Sequence, residues 1–177
     1  MRTNEVFLEL YSRLPDLVRA AVDGLTPDEL ARPPAPGANT VGWLVWHLTR
    51  VQDDHVAEVA GRPQVWAEGD WARRFGLDPA STDTGYGWSA EQVAALRPES
   101  ADVLVAYYQA VAERTTAFLA TLTEADLDRV VDERWDPPVT LGVRLVSVAD
   151  DDLEHVGQAA YVRGILRARD VAGNAGS

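Results

Sequence analysis

The chain of 177 residues contains no cysteine. This absence excludes disulfide bonds, thiolate metal ligands and a cysteine nucleophile. No uninterrupted apolar run reaches the roughly 18 residues that a membrane-spanning helix needs. The acidic, amphipathic N-terminal stretch MRTNEVFLELYSRL is also unlike a signal peptide. We therefore expect a cytoplasmic protein with no membrane partner.

Basic residues are scarce as well, with 16 Lys and Arg against 28 Asp and Glu and a formal net charge of −12. Because binding to phosphate backbones needs a basic face, we expect no nucleic-acid partner. A hydrophobic content of 46% and six tryptophans indicate a packed core. The length suits one domain, which we place at residues 1–170, followed by a flexible tail at 171–177.

The spacing of apolar residues predicts four long helices. They cover residues 4–23, about 40–61, 101–122 and about 141–169. Asn39 or Thr40 is positioned to cap the second helix and Ser100 the third, whereas Pro15 is expected to kink the first. No segment shows the alternation of a strand, and two prolines interrupt the stretch VVDERWDPPVTLGV.

A long connection, residues 62–98, separates the second and third helices and carries three tryptophans. A segment of this length is not a tight hairpin, so it predicts a crossover along the bundle. The sequence therefore predicts an all-α four-helix bundle with a long crossover connection between helices two and three. The tryptophans of the connection suggest either a lid or a dimer surface.

Only three histidines occur, so each can be weighed individually. Asp151 and His155 lie one helical turn apart, and an imidazole and a carboxylate so placed can bind one cation. Asp152, three residues before His155, flanks it on the other side. His47 lies on a strongly apolar helix, where an unpartnered imidazole is costly. His55 follows eight residues later, about 80° round and roughly 12 Å along the helix, so both cannot bind the same ion.

Each of these features also has a purely structural interpretation. A lone histidine on a helix is usually a satisfied core residue, an acidic run is usually a solvated face, and an Asp–His pair at this spacing contributes only a few tenths of a kcal/mol. The position of the acidic run is unusual, however. Residues 150–152 interrupt two apolar segments, so at least one aspartate must face inward, and we expect the other two to face solvent.

The segments NTVGWLVWHLTRVQDDH and, about a hundred residues later, DDDLEHVGQAAYVRG resemble the DinB-like superfamily of metal-binding four-helix bundles. The similarity is greatest to the actinobacterial branch of mycothiol-dependent transferases and maleylpyruvate isomerase. It covers the chain from the first helix to Arg169, and its most specific parts are WHL and HxGQ. The resemblance implies that His47, Asp151 and His155 bind a divalent metal. Relatives often carry histidine or glutamate in place of Asp151.

Two histidines and one carboxylate leave coordination positions open, as in catalytic zinc sites. The resemblance implies that a low-molecular-weight thiol such as mycothiol binds there and attacks a small electrophile. Zinc is the default metal and nickel the alternative. Relatives of this kind are often homodimers, so we expect a homodimer here. The resemblance assigns no further catalytic residue.

Three residues near these ligands are candidate substrate contacts: Trp43, Gln158 and Arg50. For Trp43 a place in the core is the stronger interpretation, and Arg50 can equally pair with a surface acid. Gln158 stays open between a hydrogen bond inside the bundle and a contact to a metal ligand. A non-catalytic, metal-binding or stress-associated bundle is the alternative function. A di-iron carboxylate bundle is disfavoured, because it needs paired Glu-x-x-His motifs and the chain offers Asp152-x-x-His155 once.

Overall fold

A computed structural model describes residues 2–175. Its strands are β1 (Val130–Asp132) and β2 (Val139–Thr140), and a 3₁₀ helix covers Ala125–Asp128. The helices are α1 (Thr3–Ser12), α2 (Leu14–Val22), α3 (Pro27–Leu30), α4 (Val41–Ala60), α5 (Val65–Glu68), α6 (Trp71–Arg74), α7 (Ala90–Ala95), α8 (Ala101–Leu119) and α9 (Leu141–Ala175).

The first predicted helix is divided in two by the sequence around Pro15. Helix α1 ends at Ser12, and α2 begins at Leu14 with Pro15 in its first turn. Proline is tolerated there because the first backbone N–H groups of a helix have no intrahelical partner. The expected disturbance near Pro15 is present as an interruption of one residue, Arg13, which keeps a helical backbone.

Four helical rods enclose the core. Helix α4 packs against α8 and α9, and α2 packs against the same two helices from the other side. The predicted caps are present, since Thr40 and Ser100 accept hydrogen bonds from the backbones of Trp43 and Val103. Gly61 ends α4 with a φ of 62°, a conformation that favours glycine. The all-α four-helix bundle is confirmed.

Two details differ from the sequence-based prediction. Strands β1 and β2 form a small antiparallel hairpin before α9, where no strand was predicted. Its two prolines lie between the paired residues, so they interrupt no ladder hydrogen bond. Helix α9 continues to Ala175, whereas a tail was predicted from residue 171; residues 176 and 177 lie outside the described part. None of the helices within residues 2–175 is both long and apolar enough to span a membrane.

The connection between α4 and α8 packs into the core. Trp66 is buried, and its ring lies 6.1 Å from that of Trp46 and 5.4 Å from that of Tyr107. Trp88 lies 4.9 Å from Trp46 by the same ring-centre measure. Aromatic pairs at these distances add to the energy of burial. The tryptophans of the connection therefore contribute to folding, and the segment covers one side of α4.

Candidate metal site

His47 lies in the middle of α4 and is 5% exposed. Its Nδ1–H donates to the carbonyl oxygen of Thr84 at 2.5 Å, since a carbonyl can only accept. The ring of Trp43, one turn earlier, stacks on it at 4.6 Å between centres. Burial lowers the pKa of His47, which favours the neutral ring. Its Nε2 therefore keeps a lone pair that can bind a metal.

His155 and Asp151 approach the same point from α9. The Nδ1–H of His155 donates to the backbone carbonyl of Asp151 at 2.9 Å, so Nε2 is the ring nitrogen that remains for a metal. The rings of His47 and His155 are 4.9 Å apart. One ligand atom from each of His47, Asp151 and His155 lies within 4.8 Å of the others. The structure thus brings together the three residues predicted as ligands.

The carboxylate of Asp151 supports a cation at this point. Its Oδ1 lies 3.7 Å from Nδ1 of His155, outside hydrogen-bond distance. Its Oδ2 is buried and has no hydrogen-bond partner within the described residues. A buried carboxylate oxygen without a partner is costly, and a divalent cation would remove that cost. Two imidazoles and one carboxylate are suitable ligands for zinc or nickel.

The three candidate substrate contacts occupy different surroundings. Trp43 is 7% exposed, and its ring contacts His47 and lies 6.2 Å from the ring of His155, so it forms a wall of the site. Gln158 is exposed on α9. Arg50 is fully buried and its guanidinium faces protein oxygens, so in this structure it does not reach the space beside the ligands.

Arg50 instead forms hydrogen bonds that link α4 to the long connection at residues 62–98. Its Nε donates to the carbonyl oxygen of Asp83 at 3.1 Å and its Nη2 to that of Thr82 at 3.2 Å. The next carbonyl along the chain, that of Thr84, is the partner of His47. Two side chains of α4 therefore bind three consecutive carbonyl groups, and the same contacts orient His47.

Asp53 completes this buried network and was missed in the sequence analysis. Its carboxylate accepts hydrogen bonds from the backbone N–H groups of Val65 and Trp66, at 2.9 and 2.8 Å, and from the hydroxyl of Tyr107 at 2.8 Å. Arg50 Nη1 lies 3.4 Å from Oδ2 of Asp53. The available signal was the i, i+3 spacing of Arg50 and Asp53 on an apolar helix.

The burial of the acidic run, residues 150–152, differs in one respect from the expectation that two of its aspartates face solvent. Asp150 is exposed and Asp151 is half-buried, but Asp152 is completely buried rather than solvated. It occupies the core stripe of α9, between Val148 and Val156 at i−4 and i+4. The spacing of these apolar residues can be seen in the sequence, and it was the available signal that Asp152 is buried. Both oxygens of Asp152 lack partners in the described part of the chain, and burial raises the pKa of its carboxyl well above the usual value.

We expect Asp152→Leu to stabilise the fold. The substitution removes a buried polar group without a partner, whose cost in proteins is about 1–3 kcal/mol. Urea denaturation at neutral pH is expected to show a rise of that order in the free energy of unfolding. Asp152→Asn, which keeps a buried polar group, is the control and should give little gain. A loss of stability in the leucine variant would show that the carboxyl has a stabilising partner.

Gly85 allows the connection to approach the site closely. Its φ is +91°, and a Cβ atom there would lie 2.7 Å from Cζ3 of Trp46 and 3.2 Å from Nδ1 of His47. Only glycine adopts this conformation without strain. Because residue 85 has no side chain, the carbonyl group of the neighbouring Thr84 can approach His47 closely enough to accept its hydrogen bond.

We expect Gly85→Ala to weaken both the fold and the metal site. The strained backbone and the steric overlap should cost about 1–3 kcal/mol and displace the Thr84 carbonyl from His47. Gly87→Ala is the matched control, because Gly87 has a similar φ of +73° but no atom within 4 Å of the added Cβ. Equal metal affinities in the two variants, measured by calorimetric titration, would contradict this role of Gly85.

A cleft of about 510 Å³ opens beside two of the three predicted ligands, His47 and Asp151. His47 and Asp151 line one part of it, and His55 and Arg144 line another. The exposed aromatic side chain of Trp135, 66% accessible, belongs to the same lining. A small organic molecule bound at the ligands therefore has room to extend along α4.

Known proteins share the fold of this chain. The chain is similar to a conserved protein from Enterococcus faecalis, with 30% identity, coverage of 95% of this chain and 99% of the other, and a TM-score of 0.86. YfiT from Bacillus subtilis, described as a probable metal-dependent hydrolase with an unusual four-helix bundle topology, shares the fold at 19% identity. That match covers 94% of this chain and 87% of YfiT, with a TM-score of 0.60.

No curated protein sequence matches the chain. The sequence profile of the DinB superfamily, in contrast, matches residues 10–159, from the end of α1 to the core stripe of α9. This range contains His47, Asp151 and His155. The chain belongs to the DinB superfamily.

Proposed function

We propose that this protein is a metal-dependent thiol transferase that joins a low-molecular-weight thiol to a small electrophile. The observation that carries the proposal is the buried, unpartnered Oδ2 of Asp151 beside two histidines whose Nε2 lone pairs are free. A divalent metal bound there would hold the sulfur and favour its thiolate form. The chain has no cysteine of its own, so the nucleophilic sulfur must come from a cosubstrate.

The protein's own residues orient the ligands and limit access. The Thr84 carbonyl and the backbone of Asp151 fix the two ring orientations, as hydrogen bonds to metal-binding histidines commonly do. Trp43 covers one face of His47 and excludes water from it. The adjoining cleft leaves space for a thiol and a second substrate. In the transfer itself, a sulfur–carbon bond forms and the leaving group departs with the electron pair.

Two other functions are compatible with the same ligands. Metal-dependent hydrolysis is favoured by the similarity to YfiT, and it would use water in place of the thiol. A bundle that binds metal without turnover is the remaining alternative. The homodimer expected from the resemblance stays a prediction.

We expect the metal-loaded protein to transfer a thiol to monobromobimane or a haloaromatic electrophile faster than the uncatalysed reaction. Mycothiol, bacillithiol and glutathione should be compared, with ester and amide substrates in parallel. Chelator treatment should abolish the activity, and added zinc or nickel should restore it. Hydrolysis without thiol transfer would favour the second candidate, and metal binding with neither activity would favour the non-catalytic bundle.

A further inference from the structure

The hydrogen bonds of the three histidines divide them into two kinds. His47 and His155 each donate from Nδ1 to a carbonyl oxygen. His55 has the opposite partner, because Nη1 of Arg144 lies 2.8 Å from its Nδ1. A guanidinium group has donors only and stays protonated. Nδ1 of His55 therefore accepts, and the ring proton of His55 is on Nε2.

Arg144 is held in the position that enforces this tautomer. It is buried, its Nη2 donates to Oδ2 of Asp132 at 3.1 Å, and its Nη1 also lies 3.3 Å from a carboxylate oxygen of Glu58. Burial and the charge of Arg144 lower the pKa of His55, against the opposing effect of Asp54 and Glu58. These contacts make His55 a neutral ring with a fixed donor at Nε2.

His55 lines the same cleft as His47 and Asp151. It is half-buried, and no hydrogen bond from its Nε2 occurs within residues 2–175. Along α4 it follows His47 by eight residues, roughly 12 Å at the rise of an α-helix. A molecule that reaches from the ligands to His55 must therefore be elongated.

We propose that Nε2–H of His55 binds an acceptor oxygen, of a carbonyl or carboxylate group, at the far end of the molecule whose other end occupies the metal site. This inference rests on the proposed function and specifies the substrate class. The substrate carries sulfur at one end and an oxygen acceptor at the other. His55 is a binding residue here and makes no contact with the reacting atoms.

The test uses cobalt-substituted protein, in which a bound thiolate gives an absorption band. Alkanethiols, ω-mercapto acids and ω-mercapto amides of increasing length are titrated into it. We expect acids or amides long enough to span the cleft to bind about tenfold more tightly than alkanethiols of equal length, the effect of one hydrogen bond of this kind. The acid and amide series distinguish a carboxylate from a carbonyl acceptor.

Two substitutions of His55 distinguish a hydrogen-bond donor at residue 55 from a side chain that only fills space there. His55→Gln keeps an N–H donor and should retain the advantage of the oxygen-bearing thiols. His55→Phe removes the donor and should abolish it, while cobalt affinity stays unchanged in both variants. An advantage that persists in His55→Phe, or that never appears in the unaltered protein, would overturn the inference.

A failure of the proposed function would give a different result in the cobalt titration. If no thiol of any kind produces the band, thiol binding is contradicted, and the same comparison with hydroxamates, which bind cobalt through oxygen, decides the role of His55. Long-range ¹H–¹⁵N spectra of the metal-free protein give an independent answer. A proton on Nδ1 of His55 at neutral pH would refute the inference in either case.

Discussion

Replacing His155 with alanine is expected to lower the affinity for zinc by more than about 100-fold. Loss of a residue that only supports a metal ligand already costs about 10–100-fold, and His155 is expected to be a ligand itself. The substitution leaves Asp151 and His47 without the third group that converges on them. Calorimetric titration of the metal-free protein, without a histidine tag, measures the loss directly.

The chain offers a matched control for this experiment. His55→Gln removes the one histidine that lies outside the converging group and should leave zinc affinity within about twofold of the unaltered protein, far from the loss expected at a supporting position. His47→Ala should behave like His155→Ala. If all three variants bound zinc equally well, the metal would lie elsewhere in the protein and the proposed function would lose its basis.

Asp53→Ala is expected to destabilise the fold by about 3–5 kcal/mol, the usual result of removing one partner from a buried ion pair. The substitution leaves the guanidinium of Arg50 fully buried beside an empty position. It also removes the acceptor of two backbone N–H groups, those of Val65 and Trp66. The free energy of unfolding in urea and its midpoint provide the measurement.

Asp54→Ala, at the next residue of α4, serves as the comparison. Asp54 is half-buried, and its carboxylate accepts a single side-chain hydrogen bond, from Gln64 at 2.6 Å. Its loss should cost about 1 kcal/mol or less. Similar costs for the two variants would show that the network around Arg50 contributes little beyond ordinary surface contacts.

These two predictions concern parts of the molecule that are physically joined. Arg50 holds the carbonyl groups of Thr82 and Asp83, and His47 holds that of Thr84. Loosening the network at Asp53 is therefore expected to disturb the orientation of His47 as well. Zinc affinity measured on Asp53→Ala at low temperature, where the variant is still folded, would report this coupling.

The long helices, and both ends of α4, could be predicted from the sequence because their causes are local. Thr40 and Gly61 mark the two ends of α4 through a side-chain cap and a left-handed backbone, and both features depend on residues close in the chain. The pairing of Asp151 with His155 follows from the helical repeat alone. The burial of Asp152 depended on the same repeat, and a stricter use of the core stripe of α9 would have predicted it.

The environment of each functional side chain was decided only by tertiary structure. For Arg50 the spacing to Asp53 at i+3 is the one local signal, and its remaining partners lie at residues 64, 82, 83 and 107. Their contacts decide that Arg50 is a buried structural residue rather than a substrate contact. The proton on His55 is likewise set by Arg144, 89 residues away. The sequence by itself determined which residues could bind a metal, since that depends on side-chain chemistry and helical spacing. Packing determined which nitrogen of His47 and of His55 is free, because distant segments supply their hydrogen-bond partners, whereas the partner of His155 is a carbonyl of its own helix.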